Sequence, residues 1–293
     1  MVVICVSGIL GNLAILAAIF LKQRATKMNC ITANLVVFNV LCGSYQTTKS
    51  FFILQKEFTL RKRLCDHFGP TTFSALTGIL INYFLITFYF YMLTFKFEIF
   101  KRLFTRAKTA LFIVTTWLVA IATGAFNAWQ TRIDKATSSI TRCYLHYDAK
   151  GIPVFVFSIF IVLIILYANC RIRKSVHCWF KTAGDGRASH ARIAIDLISI
   201  HVKATIWLGV TIACFAIGGP LGNMASRALA EKIKNVFYLL CLTNQLIYPL
   251  LLLINICHRS LRERRNRRRI GVGNAAPGNR PRQSAAWVVP RLQ

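Results

Sequence analysis

The amino-acid sequence predicts an all-α protein: a seven-transmembrane helix bundle followed by a short amphipathic eighth helix. Three observations carry this. The 293 residues are 55% hydrophobic and only 16% charged, with a mean hydropathy of +0.51, too apolar for an ordinary soluble globule and for a disordered chain. Seven stretches of about 20 or more residues contain no Asp, Glu, Lys or Arg, and a helix of about 20 residues matches a hydrocarbon core about 30 Å thick. Alternation with a period of two is absent from these stretches, which favours helices over a β-barrel.

The first span, residues 1–21, lacks the basic leading region of a signal peptide, and its apolar stretch runs too far for one. The second, 28–52, follows Lys22, Arg24 and Lys27 and closes on a polar end that holds Lys49. The third, 67–95, stops at Lys96. The fourth, 109–131, carries Ala120 and Gly124, small residues four apart that let helices approach closely. The fifth covers 151–172. The sixth, 202–226, contains Pro220 behind Gly218 and Gly219. There the proline removes one backbone hydrogen bond and bends the helix, and the glycines add freedom around the bend. That arrangement reads either as a hinge or as a static kink. The seventh span, 235–257, contains Pro249. Together, residues 1–257 form the membrane domain. Residues 258–269 are Arg-rich and read as a basic helix lying on the membrane surface. Residues 270–293, with Gly, Asn, Pro and Arg and few large apolar groups, read as a disordered tail.

An odd number of spans puts the two termini on opposite sides. No charged residue precedes the first span and three basic residues follow it, which by the positive-inside rule places the N-terminus outside and the C-terminus in the cytoplasm. On that topology the inner connections hold 3, 5 and 7 Lys or Arg and the tail 10, against 5, 4 and 3 outside. The 37 basic and 9 acidic residues leave +28. In a soluble protein that charge would suggest nucleic acid; seven spans make the lipid bilayer the partner instead. Of ten cysteines, only Cys65 and Cys143 fall outside, where a disulfide can persist. A bridge between them would tie the connection after span four to the top of span three.

Asn12, Asn39, Asn82 and Asn244 lie at interior depths of four spans, where an unpaired amide is costly and must find a partner. They read as structural glue ahead of a polar switch network, because no carboxylate lies within any span to bind a cation or move a proton. Lys49 reads first as a side chain that snorkels to the headgroups, and second as a counter-charge for an anionic ligand group in the outer cavity. The six histidines are scattered over both faces and no nucleophile-base-acid arrangement is visible. Neither an enzyme nor a cofactor or metal is therefore expected. A transporter would be expected to show paired intramembrane charges or a repeated half, and neither is present in the sequence.

Further patterns occur in order along the spans. They are Gly11-Asn12 in span one, the stretch from Asn29 to Asn39 in span two, Cys65 before span three, Trp117 in span four and Tyr167 in span five. Pro220 and Pro249 follow in spans six and seven. In this order and spacing the chain resembles the rhodopsin-like (class A) G protein-coupled receptors over about residues 1–265. The resemblance implies a receptor of the plasma membrane that binds a small extracellular ligand in its outer half. It also implies a two-state rearrangement read at the inner face by a heterotrimeric G protein or arrestin. It assigns Lys49, Thr72, Leu76 and Gly218 as ligand-facing candidates. Asn12, Asn39, Trp117, Tyr167, Pro220, Asn244, Tyr248 and Pro249 become packing or switch positions.

The departures from that pattern are informative. The family's Asp/Glu-Arg-Tyr reads Tyr89-Phe90-Tyr91, its span-two aspartate is Asn39, and its Asn-Pro-x-x-Tyr reads Tyr248-Pro249-Leu250-Leu251-Leu252. Its Cys-Trp-x-Pro reads Ile217-Gly218-Gly219-Pro220. Missing, then, are the residues that serve sodium binding, the tryptophan toggle and the standard G protein contact in that family. Thr72 stands where amine receptors carry an aspartate, and span seven has no lysine for retinal, so neither a biogenic amine nor light is the expected stimulus. No Asn-x-Ser/Thr acceptor occurs and Met1 lies almost at the first helix, so a small ligand is expected ahead of a large protein hormone. The second expectation is a divergent relative that keeps the fold without ordinary G protein coupling, as a decoy or a dimerisation partner.

Overall fold

A computed structural model describes residues 2–21, 26–54, 58–135, 152–182, 198–213, 243, 246–252 and 254. The described residues are helical throughout, with no strand among them. In chain order the elements are α1 (Val2–Leu21), α2 (Lys27–Leu54), α3 (Phe58–Phe95), α4 (Phe97–Leu103), α5 (Arg106–Lys135) and α6 (Ile152–Thr182). An apolar helix, α7, covers Ile198–Ala213, and residues 246–252 are helical.

Five helices are long and apolar enough to cross a membrane: Val3–Leu21, Lys27–Thr48, Pro70–Phe95, Arg106–Phe126 and Val156–Cys178. They coincide with the first five uncharged stretches, and the chain is a helical, multi-pass membrane protein. The expected spans six and seven fall partly, and the eighth helix and tail wholly, on residues outside those described. Helices α2, α3, α5 and α6 extend past their apolar stretches, because helical hydrogen bonds do not require an apolar sequence to continue. Thus α3 starts nine residues before the expected span and carries Pro70 inside it.

The sequence gives no separate helix after the third span, yet α4 occupies Phe97–Leu103. Its cause is one-sided spacing: Phe97, Phe100 and Phe104 recur on one face, with Phe100 and Phe104 buried. Glu98 in its first turn and Lys101 and Arg102 in its last also suit the helix dipole.

The bundle is organised around α3, which packs against α2, α4, α5 and α6, while α1 packs on α2. Two close approaches set the spacing. A Cβ on Gly124 would lie 2.8 Å from Ser74 Cβ and 3.1 Å from the Pro70 carbonyl, so only glycine lets α5 reach α3 there. One turn earlier, the buried Ala120 presents its carbonyl to Ser74 Oγ, which donates across 2.6 Å. On the other side of α3, a Cβ on Gly78 would run into the Phe38 ring of α2. Outward faces carry large apolar groups such as Leu118, Phe160 and Leu163, as a lipid-facing surface requires.

Candidate functional site

Polar side chains in an apolar bundle locate the site, because each must be satisfied by protein. The first group joins three helices. Trp117 Nε1 of α5 donates to Asn34 Oδ1 of α2 across 2.9 Å, and Asn34 Nδ2 donates to Asn82 Oδ1 of α3 across 2.8 Å. Asn82 Nδ2 then donates to the Gly78 carbonyl at 2.7 Å. Every link runs donor to acceptor in one direction, which fixes both amide orientations. Beneath the indole, Phe38 lies at a centroid distance of 4.4 Å.

A second group lies further along α3 and draws in α6 and α7. Asn169 Nδ2 donates to Thr87 Oγ1 at 3.1 Å. His201 Nε2 lies 3.0 Å from the same hydroxyl and 3.1 Å from the Tyr83 carbonyl. A carbonyl only accepts, so this geometry assigns the hydrogen to Nε2. That leaves Nδ1 as an acceptor, without a partner among the described residues. The Tyr83 ring stacks on His201 at 4.9 Å and meets Tyr248 edge-on at 5.9 Å. Three separated stretches of sequence therefore converge on one buried turn of α3.

The C-terminal end of α3 holds a cluster of aromatic rings. Tyr89 meets Phe100 and Phe104 edge-on, each at 5.0 Å. Phe104 also lies 5.8 Å from Phe88 and 5.7 Å from Phe112. Such pairs contribute about 0.5–1.5 kcal/mol each beyond their buried area, so α4 is fastened to α3 and α5 by aromatic packing.

Of the ligand-facing candidates, Thr72 is buried and accepts from Gln46 Nε2 of α2 at a long 3.5 Å, and Leu76 packs half-buried on the core. Lys49 belongs to α2, but its side chain lies outside the described residues, as does Gly218 altogether. The same holds for the cysteine pair: Cys65 falls on α3, its side chain and the whole of Cys143 beyond what is described. Pro220 and Asn244 also lie outside.

Among the packing or switch positions, Asn12 is buried and donates to the Gly8 carbonyl of its own helix at 2.8 Å. Asn39 is buried, and its Nδ2 has no partner among the described residues. Tyr248 and Pro249 are both buried, and a Cβ on Gly11 would come within 3.1 Å of Pro249 Cβ. Tyr167 departs from the expectation. It is 66% exposed, accepts among the described residues only from Arg171 on its own helix at 3.3 Å, and stands apart from both polar groups. Asn169, two residues on and facing inward, makes the contact with α3.

Asn34, Thr87, Asn169 and His201 were not singled out by the sequence as site residues. An asparagine in an uncharged stretch is a readable signal, and Asn34 and Asn169 carry it as plainly as Asn82 does. Thr87 carries none, since a threonine in a helix commonly satisfies its hydroxyl on its own backbone. His201 stands one residue before the expected start of span six. No protein-family model matches this chain, and no curated protein matches it.

Proposed function

We propose that the chain is a seven-span receptor of the rhodopsin-like type that binds a small extracellular ligand and reports it at the inner face. In this reading residues 202–226 and 235–257 complete the bundle, 258–269 form the eighth helix, and the protein sits in the plasma membrane with its N-terminus outside. Residues 270–293 remain a disordered cytoplasmic tail, and Cys65 and Cys143 form an outer disulfide. One observation carries the reading. Among the positions that the resemblance singles out, Gly11, Asn12, Asn39, Trp117, Tyr248 and Pro249 turn toward the bundle interior, whereas Tyr167 is exposed. Gly11 comes against Pro249, 238 positions away in the sequence. The second polar group supplies an element able to hold two arrangements, because His201 and Tyr248 sit on the segments that move in such receptors. Lys49, Thr72, Leu76 and Gly218 face the ligand, which is anionic if Lys49 serves as its counter-charge.

The departure at the inner end of α3 favours a second reading: a relative that keeps the fold without ordinary G protein coupling, acting as a decoy or dimerisation partner. Tyr89 occupies the acidic position of the family's motif and is engaged by Phe100 and Phe104, and no arginine is present to release. Surface-expressed protein assayed against a panel of G proteins and arrestin separates the two. Basal or ligand-driven signal that Pro220→Ala reduces more than it reduces surface expression supports the receptor. Silence across the panel at normal surface expression selects the second reading.

A further inference from the structure

Between the end of one crossing helix at Phe95 and the start of the next at Arg106, the chain has ten residues in which to turn around. It spends seven of them on α4. Residues 96–108 hold five basic side chains, Lys96, Lys101, Arg102, Arg106 and Lys108, all exposed, and one acid, Glu98. Glu98 pairs with Lys101 at 3.5 Å, whereas Lys96, Arg102 and Arg106 have no ion pair among the described residues. Lys108 Nζ donates to the Arg102 carbonyl at 2.9 Å, which ties the start of α5 to the end of α4, and the five exposed cations form the rim of this turn. The opposite face of α4 is anchored through Phe100 and Phe104. Ile99 is left 50% exposed among the cations.

We infer that this rim is a binding surface for anionic phospholipid headgroups. Two crossing helices flank it, so the headgroup layer is the surface it meets first, and its charge is complementary to that layer. An exposed isoleucine among unpaired cations suits the boundary between headgroups and acyl chains, where apolar insertion and charge attraction add. A soluble acidic partner would match the charges and leave Ile99 unexplained. The inference needs the multi-pass reading and nothing of the receptor reading. Arg102 and Arg106 take the phosphate groups, since a guanidinium meets phosphate oxygens with two parallel hydrogen bonds.

The test uses the full chain in uncharged detergent, titrated with dioctanoyl phosphatidylserine while the thermal midpoint is followed. The midpoint rises with this lipid, and neither dioctanoyl phosphatidylcholine, inorganic phosphate nor poly-glutamate reproduces the rise. In R102Q/R106Q the half-saturating concentration increases about 25-fold, from about fivefold per cation at a bilayer surface. R102K/R106K retains most of the response. Should the double glutamine variant not fold, Arg102→Gln alone carries the test with about a fivefold shift. An unchanged half-saturation in the glutamine variants overturns the proposal, as does an equal response to phosphatidylcholine. A rise with phosphate alone reassigns the surface to free anions, and one with poly-glutamate to an acidic protein; either also overturns it.

Discussion

Trp117 and Asn34 are 83 positions apart in sequence and 2.9 Å apart in the fold. The indole of α5 is the donor that begins a directed run through Asn34 and Asn82 to the Gly78 carbonyl. Because each amide has one oxygen and one nitrogen committed, removing a middle member strands a neighbour on either side.

Asn82→Ala is therefore expected to cost more than Trp117→Phe, which keeps the ring on Phe38 and loses only the first donor. Bonds of this kind between membrane helices contribute about 0.6–1.7 kcal/mol each. Denaturation of the purified protein in mild detergent checks the order. A Trp117→Phe variant less stable than Asn82→Ala would contradict the directed run.

Gly124→Ala is expected to destabilise the α3–α5 contact by about 1–3 kcal/mol, as overpacking does. The added methyl meets Ser74 Cβ and the Pro70 carbonyl, and backbone cannot swing away. Ser74→Ala in the same chain should recover little, since alanine keeps the clashing Cβ and loses the bond to the Ala120 carbonyl. Thermal midpoints of the two single variants and the double variant measure this directly. Full rescue by Ser74→Ala would place the clash on the Ser74 hydroxyl alone.

His201→Phe retains a ring to stack on Tyr83 and loses the donor to its carbonyl, while Thr87→Val removes the acceptor used by Asn169 and His201 together. Both should destabilise by about 1–2 kcal/mol. Thr87→Val combined with Asn169→Leu should cost less than the two added, because they share a bond. Strict additivity in that double-mutant cycle would show that the Asn169–Thr87 contact contributes nothing.

Tyr167→Ala should change stability by less than about 0.5 kcal/mol, whereas truncating the fully buried Ile165 on the same helix should cost about 2–5 kcal/mol. Chemical denaturation of both variants tests which side of α6 faces protein. The reverse ranking would require the helix to be rotated about its axis.

Much of the helical framework was legible in the chain because a bilayer asks a simple question of sequence. Twenty uncharged residues either can or cannot cross it, and the five crossing helices among the described residues answer to the first five such stretches. Close packing by Ala120 and Gly124 was readable for a related reason: between apolar helices, small side chains are what permits approach. The partners of the asparagines were not readable. Asn34, Asn39 and Asn82 look alike in a string, and only the rotation of each helix decides that Asn34 finds Asn82 and Trp117 while Asn39 finds neither. Tyr167 and Asn169 show the same limit, since two residues on a helix point nearly to opposite sides. Helix α4 escaped because seven residues are too few for periodicity to stand out, and its reason for existing lies in rings contributed by α3 and α5.

Helix α3 has half of its crossing segment enclosed by protein, against 22% for α1, α5 and α6. A side chain wetted by acyl chains must only be greasy; one wedged among four neighbours must have a particular shape. Random replacement of one aliphatic residue by another should thus be absorbed around the circumference of the barrel of helices and punished along its central post. Engineering for solubility or labelling can spend its changes on the outside with little risk to the fold.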